Sequence, residues 1–281
     1  MMENSERLME DSAILQPASS GDAAEAAHLT VKDACVFLSE YASALLGCGA
    51  TCIRIEKNVQ RMAETIGVDY SMTIMPATVQ ITVWDKDRQH SYSNIQKIRK
   101  SGTSFNINTQ LSRLSWDLHD GRVGFGEAAG RLERILQTRP ENRWLVLVLA
   151  SVANASFCRL FGGDFISMGI VFIATLVGFR IRQMMLEDKI DIRLAFVCAS
   201  FVSSVIASAG YVFGLGSTPD IALGTSVLYL VPGVPYLNSM SDLLDGHYIS
   251  FLSRFLDATV LTVCLSAGLC GGFLIMNLRW F

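Results

Sequence analysis

The chain has 281 residues, 51% of them hydrophobic and only 17% charged, with a formal net charge of −3. Residues 1–143 hold 16 basic and 18 acidic side chains, whereas 144–281 hold 7 and 8. A soluble domain carries about 25% charged residues throughout, so this split excludes a single soluble domain, a disordered chain and a disulfide-rich secreted module. It points to a soluble part followed by a membrane part.

Residues 1–28 are polar and rich in Ala and Ser, with no apolar core or cleavage site. They read as a mobile tail and not as a secretory signal. Residues 29–143 read as a small cytoplasmic α+β domain. Val31 to Ile66 has helical spacing, as two helices meeting near Gly47 and Gly49, with Thr30 and Asp33 set for a capping box. Gly67 suits a helix end. The period then changes to two. Tyr70, Met72 and Ile74, then Val79, Ile81 and Val83, alternate with polar residues; a turn at Asp85–Arg88 leads to a third run at Ser91–Ile98. Helical spacing returns at Leu111, Leu114 and Leu118, breaks at Gly121 and Gly124, and resumes from Gly126 to Leu136.

No nucleic-acid, metal or catalytic motif emerges from this domain. The basic cluster Lys97, Arg99, Lys100 reads as a solvated face, because no run of five basic residues exists to neutralise phosphates. His90, Ser91, Asp117 and His119 form a hydrolase only on paper, without a G-x-S-x-G or H-E-x-x-H context. The seven cysteines are an odd number; Cys48 and Cys52, four apart, are placed on one helix face. They read as free thiols of a reducing compartment, with no zinc partner. No cofactor is implied.

Residues 144–281 contain five apolar segments: Trp144–Phe161, Phe165–Ile181, Leu194–Leu215, Ile221–Met240 and Phe255–Leu278. Each is long enough to cross a bilayer core of about 30 Å, which predicts an integral membrane bundle of five transmembrane helices. Lys and Arg set the orientation. Arg131, Arg134, Arg139 and Arg143 before the first segment, Arg180, Arg182, Lys189 and Arg193 in the loop between the second and third, and Arg254 between the fourth and fifth flank one side; Arg159 and Arg279 flank the other. The N-terminal domain is therefore expected in the cytoplasm and the C-terminus outside. Gly210 with Gly214, and Gly268 with Gly272, have the spacing of close helix contacts, and Ala199, Ser203 and Ala207 form a small-residue stripe.

Polar groups inside the spans are the candidates for function. Asn154 stands mid-way along the first. Val231-Pro232-Gly233-Val234-Pro235 interrupts the fourth, and Asn238 and Asp242 follow on one face. Proline removes a donor and frees a carbonyl, so a break here exposes backbone dipoles at depth. Leu243–Arg254 reads as a short amphipathic or re-entrant piece. Arg254 and Asp257 then fall at the depth of Asp242 and Asp245, a titratable cluster able to couple a proton to transport. The expected substrate or ion pathway is Asn154, Pro232, Gly233, Asn238, Asp242, Arg254 and Asp257.

Three stretches resemble the threonine/serine exporter family, in its N-terminal-type half, which stands alone in two-component exporters such as a bacterial succinate exporter. They are Leu45-Leu46-Gly47-Cys48-Gly49-Ala50 through Arg54, Glu56 and Ile66-Gly67; Arg99 and Gly102; and Leu230-Val231-Pro232-Gly233 with Asn238, Asp242-Leu243, Gly246 and Arg254. Ser241 and Phe251 depart from the pattern, where the family often has Arg and Gly. The resemblance implies a bacterial inner-membrane exporter of small polar metabolites, either threonine/serine-type amino acids or a dicarboxylate such as succinate. It also implies a second small multi-span subunit. The alternatives from sequence are a membrane-anchored signalling or scaffold protein and, below that, a membrane hydrolase.

Overall fold

The computed structural model describes residues 30–98, 102–138 and 141–277. The tail at 1–28, Arg99, Lys100, Arg139 and Arg279 lie outside them. The chain divides into two compact units. One comprises residues up to Cys48 together with Arg54–Glu133; the other comprises Gly49–Ile53 together with Arg134 onward.

In the first unit, helix α1 (Val31–Gly47) starts at Thr30. The Thr30 hydroxyl accepts from the Asp33 amide at 3.2 Å while the Asp33 carboxylate accepts from the Thr30 amide. This satisfies two donors that a helix start leaves open. Phe37, Leu38, Tyr41 and Leu45 of α1 are buried. Helix α1 packs over an antiparallel sheet of β1 (Asp69–Ile74), β2 (Thr78–Trp84) and β3 (Ser91–Lys97), in that order. The register pairs Tyr70 with Val83, Met72 with Ile81 and Ile74 with Val79. Val79, Ile81 and Val83 are all buried, so the alternation seen in the sequence places one face of β2 against α1. Helix α2 (Cys52–Ile66) ends at Gly67, whose φ of +79° closes the helix in a left-handed turn. Helices α3 (Phe105–His119) and α4 (Phe125–Leu136) complete the unit. The Tyr41 hydroxyl donates to the Leu111 carbonyl at 2.9 Å, fixing α1 on α3.

The second unit is built from α5 (Arg143–Leu160), α6 (Phe165–Glu187), α7 (Ile192–Val212) and α10 (Tyr248–Ile275), with α8 (Pro219–Thr225), a 3-10 turn (Leu228–Leu230) and α9 (Gly233–Leu244) between α7 and α10. Among the described residues, four helices are long and apolar enough to cross a membrane. Pro219–Leu230 and Gly233–Leu244 form a further pair bent by 60°. Helices α5 and α6, α6 and α7, α7 and α10, and α9 and α10 pack in turn, and α8 nests against α5, α6 and α7.

This unit is inverted relative to a soluble domain. Large apolar side chains such as Leu149, Phe157, Ile173 and Val263 are exposed, while Ser151, Thr175, Ser200, Ser203, Ser204 and Ser208 are buried. An aliphatic exterior with small polar residues inside suits a lipid surround, because small groups let helix backbones approach. Gly268 and Gly272 of α10 face Ser200, Ser204 and the Val197 and Phe201 carbonyls of α7 with no room for a Cβ. Only one member of the other glycine pair acts this way. Gly210 abuts Ile170, whereas Gly214 lies beyond α7 at φ +63° in open space.

Four local expectations change. Cys48 caps α1 and Cys52 opens α2, so the two do not share a helix face. Gly49, at φ +87°, turns the chain between them. Arg180 and Arg182 are not in a loop, because α6 continues to Glu187. Residues 248–254 are the first turns of α10 and not a separate piece; the connector is only Asp245–His247. The fourth apolar segment breaks at one proline, not two. Pro232 sits at φ −79°, ψ 56° with the Gly233 amide donating to the Val231 carbonyl at 2.8 Å, an inverse γ-turn. Pro235 lies in the first turn of α9, where an N–H is not needed.

Candidate functional site

The polar residues of α9 and α10 converge on one stretch of backbone. Asn238 and Asp242 stand one turn apart on α9, and the short connector folds α10 back beside it. This brings Arg254 to Asp242, with guanidinium nitrogen and carboxylate oxygen 3.0 Å apart. Asp242 is fully buried. Its other oxygen accepts from the Cys52 amide at 2.9 Å. Arg254 donates to the Ala50 carbonyl at 2.7 Å, and Asn238 donates to the Gly49 carbonyl at 2.8 Å.

The reason for this knot lies in the backbone it holds. Ala50 and Cys52 are buried and Gly49 is partly buried, and buried amides and carbonyls need partners. Cys52 is the first residue of α2, whose leading N–H groups have no partner in their own helix. Asp242 therefore caps α2 from a distant part of the chain, and its negative charge suits a helix N-terminus. Burial pushes the Cys52 thiol up to about 11. Ser250 and Arg254 pull against that shift, and the Asp242 charge adds to it.

The remaining expected residues fall elsewhere. Asn154 is buried on α5 and donates to Thr175 Oγ1 at 2.6 Å and to the Thr225 carbonyl at 3.1 Å, tying α5 to α6 and α8. Thr175 and Thr225 are ordinary in the sequence; only the fold reveals them as its partners. Pro232 is buried at the break and Gly233 is exposed with open space around it. Asp257 is exposed on α10, and Asp245 caps α9 and accepts from Ser241 at 3.3 Å. Asp242 is thus the buried carboxylate of the expected cluster.

The paper hydrolase does not assemble. Asp117 pairs with Arg122 at 3.2 Å and Arg131 at 3.3 Å, and His119 lies against Thr65 and the Trp116 ring. Among the described residues no hydrogen bond or ion pair joins any two of His90, Ser91, Asp117 and His119, and no group of three or more His, Cys, Asp or Glu is placed to hold a metal ion.

Two of the resembling stretches, the one from Leu45 through Arg54 and the one from Leu230 to Arg254, supply both sides of this knot. The family described as "Putative threonine/serine exporter" matches residues 36–276. The chain belongs to the threonine/serine exporter family. Among curated relatives, the "Probable succinate transporter subunit YjjP" of Escherichia coli K12 is 26% identical over 238 residues, which is 84% of this chain and 91% of that protein. The protein of the same name from Klebsiella aerogenes is 25% identical over the same shares. A "Probable threonine/serine exporter" of Mycobacterium tuberculosis is 22% identical over 81% of this chain and 43% of its own length. No solved structure matches the chain. Membership of this exporter family, with these apolar helices, makes the chain a multi-pass membrane protein of transport.

Proposed function

We propose that this chain is one subunit of a bacterial inner-membrane exporter of small polar metabolites, either threonine/serine-type amino acids or a dicarboxylate such as succinate. In this reading it is not an enzyme. The bent pair counts as one span, giving five, with residues 29–143 in the cytoplasm after a tail at 1–28 and the C-terminus outside. A second small multi-span subunit completes the transporter, as the word subunit in two relatives' names suggests.

One observation carries the reading: a fully buried Asp242 paired with a mostly buried Arg254, one short helix beyond a 60° break. Buried charges beside a discontinuous helix are what a bilayer protein retains for substrate or ion movement. Asn238 and Arg254 hold two carbonyls, and Asp242 holds an amide, in the way they would hold a carboxylate and a donor of a substrate. The backbone at Gly49–Cys52 therefore occupies the pathway groups, and passage requires these bonds to open. Protonation of Asp242 removes the charge that holds Arg254, which is how a proton could drive the opening. Pro232 and Gly233 supply the hinge, and Asn154 and Asp257 line the pathway.

Efflux of radiolabelled threonine and succinate from cells producing this chain with its partner tests the reading. Retention of wild-type efflux by both Asp242→Asn and Asn238→Ala, at matched protein levels, removes the site. Efflux indifferent to a protonophore removes the proton.

A further inference from the structure

Arg182 reads in the sequence as a marker of topology. In the structure it lies inside α6, and its Nε is sealed from solvent without a hydrogen-bond partner. Its guanidinium sits over the ring of Phe196 on α7 at 5.1 Å and over that of Phe179 at 5.6 Å. Phe196 is itself buried. Among the described residues no carboxylate pairs with Arg182. Glu187, on the same helix, is taken by Arg143 at 2.6 Å and Arg180 at 3.6 Å. Arg180 is only two residues away, yet that spacing turns it to a different helix face, against the Trp144 ring.

The surroundings of Arg182 are built around the helix break. Tyr229 belongs to the 3-10 turn that precedes Pro232 and lies within electrostatic reach of Arg182. Its ring packs on Phe179 at 5.8 Å. Its hydroxyl is 2.9 Å from Ser203 Oγ, and Ser203 donates to the Ala174 carbonyl at 3.0 Å. Since that serine proton is used, the tyrosine is the donor of the pair. Gly178 permits the arrangement, for a Cβ there would collide with both hydroxyls. Two rings thus flank the cation, with Tyr229 behind one of them, and among the described residues no counter-ion meets it.

Aromatic faces stabilise a guanidinium but leave its in-plane N–H groups open, and that fork matches a carboxylate in two parallel hydrogen bonds. An ionisable side chain held among membrane-spanning helices marks a substrate or ion pathway by default. We propose that Arg182 is the anchor for a carboxylate of the exported molecule, held beside Phe179 and Phe196 and next to Tyr229 of the helix break. The proposal rests on the exporter reading and assigns it a binding residue distinct from the Asp242 knot. Both candidate substrate types carry a carboxylate, so the anchor serves either.

The test is efflux kinetics with succinate and L-threonine as probes, in cells producing the full chain with its partner, for wild type, Arg182→Gln, Arg182→Lys and Phe196→Leu. Amide analogues of the probes serve as competitors. Wild type should prefer acid over amide. Arg182→Gln should raise the half-saturation concentration about 10- to 100-fold, the scale of a lost charged hydrogen bond, and should abolish the preference for acid. Arg182→Lys keeps the charge without the fork and should fall between; it decides the matter if the glutamine variant does not accumulate. Phe196→Leu should also raise half-saturation while preserving the preference. An unchanged half-saturation, or a lower maximal rate with the acid preference intact, in whichever Arg182 variant accumulates overturns the anchor. Wild type that moves neither probe overturns the exporter reading itself, which is a different result.

Discussion

Asp242 and Arg254 form an ion pair 3.0 Å long across the connector between α9 and α10, and each also bonds the backbone at Ala50–Cys52. Removing one member of a buried pair strands the other charge and costs about 3–5 kcal/mol, whereas replacing both is far milder. Asp242→Asn and Arg254→Met should therefore each lower the melting temperature of the detergent-solubilised protein. The double variant should recover part of that loss: its Asn still accepts from Cys52, while the Ala50 carbonyl stays without its donor. If the pair belongs to the pathway, efflux stays lost in the double variant. Efflux restored along with stability would show a purely structural pair.

Burial holds the Cys52 thiol near 11, well above its ordinary 9.0. A raised thiol value keeps the unreactive protonated form, so the sign is clear: alkylation of Cys52 should stay slow through pH 9 and accelerate only toward pH 11. In a variant retaining Cys52 as its one cysteine, Asp242→Ala removes both the neighbouring negative charge and the acceptor of the Cys52 amide. Maleimide labelling at pH 8 should then be faster. Equal rates in the two backgrounds would mean that Asp242 does not hold this segment in solution.

Much of the architecture was legible because it depends on local periodicity. The alternation of Val79, Ile81 and Val83 marked the buried face of β2, and the long charge-free runs marked the membrane helices. The residues Asn238, Asp242 and Arg254 stood out because charge and amide are rare in such runs. Their partners did not stand out. Gly49, Ala50 and Cys52 contribute backbone groups, and a backbone group has no letter of its own. The same holds for the Thr225 carbonyl that binds Asn154. Arg182 was misplaced for a different reason: counting Lys and Arg near a span end cannot distinguish a loop from the last turns of a helix, and α6 runs on to Glu187.

The α7–α10 contact depends on glycine. A Cβ at Gly268 would meet Ser200 and the Val197 carbonyl, and backbone cannot step aside as a side chain can. Gly268→Ala should destabilise by about 1–3 kcal/mol, the range for overpacking. Gly169, in α6 with nothing within 4 Å, is the control. Gly169→Ala should be neutral or gain up to about 1 kcal/mol from helix propensity. Thermal melting of both variants checks the pair, and similar losses would argue against the close α7–α10 packing.

Asn154 joins three elements through one amide, donating to Thr175 on α6 and to Thr225 at the end of α8. Asn154→Leu is close in size but leaves the Thr225 carbonyl without this donor in a buried site, which costs about 1–3 kcal/mol. Thr175→Val removes only the hydroxyl, and Asn154 keeps its bond to Thr225, so its loss should be smaller. A pathway role adds a second expectation. Asn154→Gln retains the amide but shifts it along the bundle by one methylene, and it should slow efflux more than its melting temperature falls. Efflux that tracks stability across all three variants would assign Asn154 to packing of the bundle and remove it from the pathway.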